Sequence, residues 1–168
     1  NGPIKNPQKL EEFLVAGGTD NIDSLDELEI VKGIVERHPN TTIHLGIRCN
    51  YEVGDGVVSR FGFDVDSDDF KEVLNFVQNT PNVHFVNFQC HFAKRQIEYW
   101  PARAKGMVEL IDRLGIIPER IDIGGGLFGK MADSLKAQFT NEIPCYMDYA
   151  KAAATVFADY FANKEVKP

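Results

Sequence analysis

Three features of the sequence have the chemistry to bind an anionic ligand and to move protons. Gly124, Gly125 and Gly126 directly follow a short apolar segment, and glycine amides can approach an anion closely because no Cβ atom intervenes. His91 ends a second segment and could relay a proton or stack on a flat ring. Arg48 lies in a third, where an unpaired guanidinium would be costly and requires an anionic or strongly accepting partner.

Each feature also has an ordinary structural explanation. A glycine triplet can simply turn the chain, and a lone histidine is commonly a hydrogen-bonded structural residue. Asp23 or Asp122 could neutralise Arg48 in an internal ion pair. The features therefore indicate a site only if the fold brings them together.

Strand-like and helix-like segments alternate along the chain, which predicts a parallel sheet with crossover helices. Apolar residues at helical spacing, with caps and stop signals, predict helices beginning near residues 7, 25, 67, 101 and 147. Strands are predicted at 21–23, 42–49, 83–91 and 120–123.

The predicted strands share an unusual pattern, because each has one apolar face and one polar face. In 42–49 the apolar Ile43, Leu45 and Ile47 alternate with His44, Gly46 and Arg48, whereas covered parallel strands are normally apolar throughout. Burying an unpaired polar group costs about 1–3 kcal/mol. The polar faces are therefore expected to meet around a shared interior or ligand, as at the mouth of a barrel. The alternative is that the strands are merely half-exposed.

Composition limits the classes of partner. With 168 residues, a net charge of −7 and a pI near 5.1, the chain is expected to form one soluble domain that binds neither nucleic acid nor membrane. It has no apolar run long enough to span a bilayer and no secretory signal pattern. Three widely spaced cysteines lack the close pairs of a metal site and are expected to be reduced in the cytoplasm.

Six segments in order resemble the fold-type III pyridoxal-phosphate enzymes, the group that contains alanine racemase and the ornithine, arginine and diaminopimelate decarboxylases. The NIDS run and the glycine triplet are closer to the decarboxylases than to the racemases. The segments are NGPIK (1–5), NIDSLDEL (21–28), GIRCN (46–50), SRFGF (59–63), QCHF (89–92) and DIGGG (122–126).

The resemblance implies an α/β fold, a partial (βα)8 TIM barrel of the alanine racemase N-terminal-domain type with about four βα units. Residues 1–168 would be a single segment from the centre of that barrel, since a whole one needs about 250 residues. Chain length alone would favour a small open α/β sheet, and an unrelated phosphate-binding module of that kind is one alternative.

The resemblance also implies an activity and a cofactor. The complete protein would be a cytoplasmic, homodimeric lyase that decarboxylates an amino acid with pyridoxal 5'-phosphate. His91 would stack on the pyridine ring, Gly124, Gly125 and Gly126 would help hold the phosphate, and Arg48 would lie near the cofactor or the substrate. An amino-acid racemase of the same fold, or an inactive homologue that binds a regulatory partner, are the alternatives.

Several departures bear on these expectations. Ala93-Lys94 stands where the decarboxylases usually have Gly-Ser, and Arg60 where they usually have lysine. No lysine here has the context of the family's Schiff-base lysine, and Lys5 instead follows a proline-containing turn. That strand and the C-terminal β domain are expected to lie outside this chain, which begins with Asn1. We therefore expect the chain alone to be an inactive fragment.

Overall fold

The strands of the sheet alternate with helices in the computed structural model, which describes residues 2–140 and 142–168. The elements in chain order are α1 (Pro7–Val15), β1 (Thr19–Ile22), α2 (Leu25–Arg37), β2 (Ile43–Asn50), β3 (Phe63–Asp64), α3 (Asp68–Asn79), β4 (Val83–Cys90), a 3-10 turn (Ile97–Tyr99), α4 (Trp100–Leu114), β5 (Arg120–Ile123), α5 (Asp133–Lys136) and α6 (Tyr146–Phe161).

Local capping explains where three of the helices begin and where α4 ends. The side-chain oxygens of Asn6, Ser24 and Ser67 each accept a hydrogen bond from a backbone amide in the first turn of α1, α2 and α3, at 3.0, 3.3 and 3.1 Å. Such caps replace bonds that the helix itself cannot make. Gly115 ends α4 in the left-handed conformation, with φ at 65°. The helix starts predicted near residues 7, 25 and 67 are thus confirmed to within one residue.

The sheet keeps its strands in chain order, β1-β2-β4-β5, and every pairing is parallel. The short β3 pairs with the end of β2. Right-handed crossovers between strands in sequential order place their helices on one face of the sheet, whereas a doubly wound sheet reverses order and is covered on both. Four βα units are present, as predicted.

The apolar strand face packs against the helices in one core. Buried members from strands and helices include Ile22, Leu45, Ile47, Phe88, Leu28, Val31, Phe70, Val73, Met107 and Ile111. Sheet formation thus leaves the polar strand faces on the side opposite the helices.

A β-bulge at Val86 interrupts the pairing of β2 with β4. Leu45 is opposite Phe85, but Gly46 is opposite Asn87, so β4 has one extra residue at this point. After the bulge, Asn87, Gln89 and His91 follow one another on the face opposite the core.

Some elements differ from the sequence prediction. β1 covers Thr19–Ile22 rather than 21–23, because Asp20 is a buried strand residue that pairs with Lys5 at 3.0 Å. Sequence patterns did not indicate β3, the 3-10 turn or α5. Within the described residues, no helix is long and apolar enough to cross a membrane.

Candidate functional site

The polar strand residues form rows that run across the sheet. Asn21, Gly46, Asn87 and Arg120 are successive register partners, and Asn87 Nδ2 donates to Asn21 Oδ1 at 2.8 Å across the glycine. A Cβ atom at Gly46 would lie 2.6 Å from Asn87 Oδ1 and closer still to Asn21 Oδ1. The glycine therefore gives the two amides the room to bond directly.

The next row contains Arg48, Gln89 and Asp122. Arg48 Nη1 donates to Asp23 Oδ1 at 2.7 Å, with the two side chains 15% and 6% exposed. Of the two partners predicted for Arg48, the structure has Asp23. The guanidinium also lies 5.2 Å from the centre of the Phe61 ring, and within the described residues it makes no second side-chain hydrogen bond, so its other nitrogens remain available to a ligand.

Four of the five predicted site residues line one cavity of about 330 Å³ at the carboxyl ends of the strands. Arg48, His91, Gly124 and Gly125 meet there, and the full lining is Gly2, Lys5, Asp20, Asn21, Asp23, Arg48, Gln89, His91, Asp122, Gly124 and Gly125. Ligands of parallel α/β folds bind at this end of the strands.

Gly126 does not line this cavity. Its φ is 85°, and a Cβ atom there would lie 2.9 Å from the carbonyl oxygen of Lys94 and 3.1 Å from that of Phe92. Gly126 therefore turns the chain away at a place where only glycine fits both the conformation and the space.

His91 packs against the neighbouring glycines. Cβ atoms added at Gly124 and Gly125 would each lie 3.0 Å from its Nδ1, while the residue is exposed overall and lines the cavity. Burial lowers the pKa of His91, the positive charges of Arg48 and Arg103 lower it further, and Asp122 opposes them. The lowered pKa favours the neutral imidazole, as suits a ring that stacks on another ring.

The glycine loop presents unpaired amides. Gly124 N donates to Cys90 O at 2.7 Å, whereas the amides of Gly125 and Gly126 donate to no partner within residues 2–140 and 142–168. Consecutive free amides, one in a residue with positive φ, form the kind of concave donor group that binds phosphate oxygens.

Lys5 is a cavity residue for which sequence reasoning found no role. Its ammonium group donates to Asn21 O at 3.0 Å, pairs with Asp20 at 3.0 Å and also pairs with Glu27. Burial, and then the charge of Asp20, raise the pKa of Glu27, while Lys5 counteracts both. The three acceptors fix Lys5 in the wall of the cavity, so its ammonium group is already engaged.

Asp122 faces the same cavity. Its pKa is raised by burial and lowered in part by His91, so a carboxyl group close to the imidazole takes up a proton more readily than an exposed one. Sequence reasoning named Asp122 only as a possible partner of Arg48.

Arg103 is the second residue that sequence reasoning missed. It lies on α4, has no exposed surface, and donates to the carbonyl oxygens of Gly125 and Lys94. Its spacing of three from Trp100 and four from Met107 places it on the buried stripe of the helix, and that spacing is the signal that could have found it.

A second cavity of about 480 Å³ shares Arg48 and His91 with the first. Ser59, Arg60 and Phe61 form part of its wall, and Arg60 lies 5.0 Å from the centre of the Phe61 ring. Asp55 also lines it and is buried, with Oδ2 lacking a partner among the described residues.

Among the described residues no cluster of three or more histidine, cysteine or acidic groups could hold a metal ion.

Comparison with known proteins defines the fold. No family model matches the sequence. The structure of a diaminopimelate decarboxylase from M. jannaschii superposes with a TM-score of 0.78 at 21% identity, covering 98% of this chain and 39% of that one. Alanine racemase from Clostridium difficile 630 superposes with a TM-score of 0.54 at 15% identity, covering 74% of this chain and 32% of that one.

The fold is a segment of an alanine racemase-like (βα)8 barrel. The predicted partial barrel is thus confirmed, and the alternative of an unrelated small α/β module is excluded, because the match to the M. jannaschii structure extends over 98% of the chain.

A curated relative found by sequence similarity is of the same kind as the first of these structures. A diaminopimelate decarboxylase from Actinosynnema pretiosum subsp. auranticum is 29% identical over 133 residues, which cover 74% of this chain and 30% of the relative. The predicted resemblance to the decarboxylase and racemase group is therefore confirmed. The barrel segment spans less than half the length of these similar proteins.

Proposed function

We propose that the complete protein containing this chain decarboxylates an amino acid with pyridoxal 5'-phosphate, and that these residues form the cofactor-binding part of its barrel. One observation supports the proposal above all. Arg48, His91 and two of the three glycines meet in one cavity at the carboxyl ends of the strands, in a fold shared with a diaminopimelate decarboxylase.

The groups around the cavity fit a flat, anionic cofactor. The unpaired amide of Gly125, which lines the cavity, and that of Gly126, the next residue of the loop, suit a phosphate group. The imidazole of His91, whose lowered pKa favours the neutral form, suits the face of a pyridine ring. Arg48 adds a positive charge that Asp23 holds in place at 2.7 Å. Glycine at 124 and 125 is required because a Cβ atom at either position would press on His91.

The residues of this chain would divide the work of binding and orientation. Pyridoxal phosphate, when bound, supplies an electron sink for the carbanion left when carbon dioxide departs. His91 would fix the tilt of the ring. Asp23 would hold the Arg48 guanidinium group beside the ring. Asp122 would hold or release a proton next to the His91 imidazole.

We assign the remaining parts of the active site to other regions of the complete protein. Residues 1–168 would be a single central barrel segment, with the lysine that anchors the cofactor and a C-terminal β domain supplied elsewhere. The engagement of Lys5 with Asp20, Glu27 and Asn21 supports this division. We further propose a homodimer in the cytoplasm, where Cys49, Cys90 and Cys145, all unpaired, would stay reduced.

The decisive experiment uses the purified complete protein. Adding pyridoxal phosphate should produce the visible absorbance band of the lysine-bound cofactor. Meso-diaminopimelate, ornithine and arginine are then added in separate samples, and one of these amino acids should release carbon dioxide. The curated relative makes a diaminopimelate-like amino acid the first substrate to test. Absence of the band at saturating cofactor would overturn the proposal.

The same samples distinguish the alternative activities. A racemase of this fold would invert the α-carbon without releasing carbon dioxide, which chiral chromatography detects. An inactive homologue would show neither reaction. The higher TM-score with the decarboxylase than with the racemase, 0.78 against 0.54, supports decarboxylation.

Substituting His91 tests its stacking role. His91→Ala in the complete protein should weaken cofactor binding by about two- to tenfold, since an aromatic pair contributes about 0.5–1.5 kcal/mol. His91→Phe should retain most of the affinity because a flat ring remains. Equal losses in both variants would reject stacking and leave hydrogen bonding or proton transfer as the role of His91.

A further inference from the structure

Arg103 is a buried cation with no carboxylate partner. Its side chain has no exposed surface, and within the described part of the chain it forms no salt bridge. A buried guanidinium is costly unless its donors are satisfied. Here Nη1 donates to the Gly125 carbonyl at 3.0 Å and Nη2 to the Lys94 carbonyl, while Nε has no partner.

The surroundings of Arg103 keep its guanidinium group in one position. The ring of Trp100 lies 4.7 Å away and that of Phe92 lies 5.7 Å away, both within the range of cation–π attraction. Tyr51 Oη donates to the Arg103 backbone carbonyl at 2.6 Å, which anchors this turn of α4. The group is thus held by a helix and two rings, and it in turn holds two loops.

The two acceptors belong to the loops that border the candidate cofactor site. Lys94 is in the loop after β4, three residues beyond His91, and Gly125 is in the loop after β5. Neither loop contains an element that would fix it by its own hydrogen-bond ladder. One side chain therefore joins the carboxyl ends of two neighbouring strands.

The hydrogen bond from Arg103 to the Gly125 carbonyl also sets the direction of the next backbone amide. A trans peptide unit holds its C=O and N–H groups in opposite directions, and the described residues contain no cis peptide bond. Because the Gly125 carbonyl points toward Arg103, the Gly126 amide of the same peptide unit points away from it. That amide is one of the two left without an acceptor.

We propose that Arg103 is a positioning residue, which by binding the carbonyl groups of Gly125 and Lys94 turns the unpaired amide of Gly126 toward the phosphate group of the cofactor. The inference rests on the proposed function. It also explains how the chain can have Ala93-Lys94 where the resemblance leads one to expect Gly-Ser, since this loop is tied through its backbone instead of through a hydroxyl group.

The test compares two ligands that differ only in the phosphate. In the complete protein, Arg103→Met should weaken binding of pyridoxal 5'-phosphate about tenfold or more, the effect of losing charge-assisted bonds, and should change binding of pyridoxal less than about twofold. Arg103→Lys keeps the charge but cannot reach two carbonyl groups with a planar fork, so it should give an intermediate loss.

The matched control is Arg113→Met, on the same helix. Arg113 is an exposed arginine that bonds to Asp66 and to the Val65 carbonyl, so its loss should leave binding of both ligands unchanged. Circular dichroism and thermal unfolding monitor the fold, and if Arg103→Met does not fold, Arg103→Lys and Arg103→Gln provide the same comparison.

Two outcomes would overturn the inference while leaving the proposed function intact. The first is an equal loss of both ligands in the Arg103 variants, which would indicate a general structural role. The second is unchanged binding of both. If the wild-type protein binds neither ligand, the proposed function fails, and this inference fails with it.

Discussion

The charge of His91 depends on the groups that surround it in the cavity. Its pKa is lowered first by burial and then by Arg48 and Arg103. In the folded state the titration midpoint of the His91 imidazole should lie below the ordinary pKa of 6.5. Nuclear magnetic resonance of the imidazole ring across a pH series measures this midpoint. Arg48→Met should raise that midpoint by removing a positive charge, whereas Arg60→Met should not.

The sign of the linked stability effect follows from this shift. Because the unfolded chain binds a proton at His91 more readily than the folded one, stability contributed by this residue is full above pH 6.5 and is lost as the pH falls through 6.5 toward the lower folded value. A midpoint for His91 above 6.5 would contradict the assignment.

The pair of Arg48 with Asp23 is expected to stabilise the fold as well as the site. Asp23→Ala would leave a guanidinium group that is only 15% exposed without its partner, so unfolding free energy in urea should fall by about 3 kcal/mol. Glu29→Ala is the control. It removes the pair with Lys32 from a carboxylate that is 68% exposed, and should cost less than about 0.5 kcal/mol. Equal costs would show that the pair of Arg48 and Asp23 is as weak as a surface pair.

At the scale of elements, three strands meet closely at Gly46. Gly46→Ala would force a Cβ atom between Asn21 and Asn87, breaking their hydrogen bond, and should lower the free energy of unfolding by about 2 kcal/mol through overpacking. Gly33→Ala in α2 would meet only the end of the flexible Arg37 side chain and should raise it by about 0.5 kcal/mol. Urea titrations of both variants provide the comparison.

Sequence reasoning found the elements that local signals specify. The caps at Asn6, Ser24 and Ser67 and the stop at Gly115 depend on neighbours within a few residues, and the alternation of β2 depends on its own side chains. The polar faces indicated a shared interior, which is where Arg48 and His91 meet.

The parts that sequence reasoning missed depend on distant partners. The position of the Lys5 side chain depends on its ion pairs with Asp20 and Glu27. The position of the Arg103 side chain depends on the carbonyl groups of Gly125 and Lys94. Backbone acceptors have no sequence signature, because every residue has one. The predicted start of β1, residue 21, lies two residues beyond the observed one for the same reason, since the buried carboxylate of Asp20 is acceptable only beside Lys5.

At the scale of the whole molecule, the sheet has two open edges. β1 and β5 each pair on one side only among the described residues, and unpaired strand edges favour pairing with another chain. This chain in isolation should therefore self-associate, seen as a sedimentation coefficient that rises with protein concentration. Added salt should strengthen the effect by screening the net charge of −7. A monomer at every concentration and salt level would contradict this expectation.

The extra residue at Val86 has a consequence for how this barrel can change over time. Strand side chains alternate, so one residue more or fewer reverses the direction of everything that follows. At a bulge, however, two residues stand opposite one, so deleting Val86 would leave Phe85 opposite Leu45 and Asn87 opposite Gly46, with Asn87, Gln89 and His91 still on the ligand side. A single-codon deletion elsewhere in β4 would exchange the lining of the cavity for part of the core, whereas at Val86 the strand can lose one residue and keep the same side chains facing the ligand.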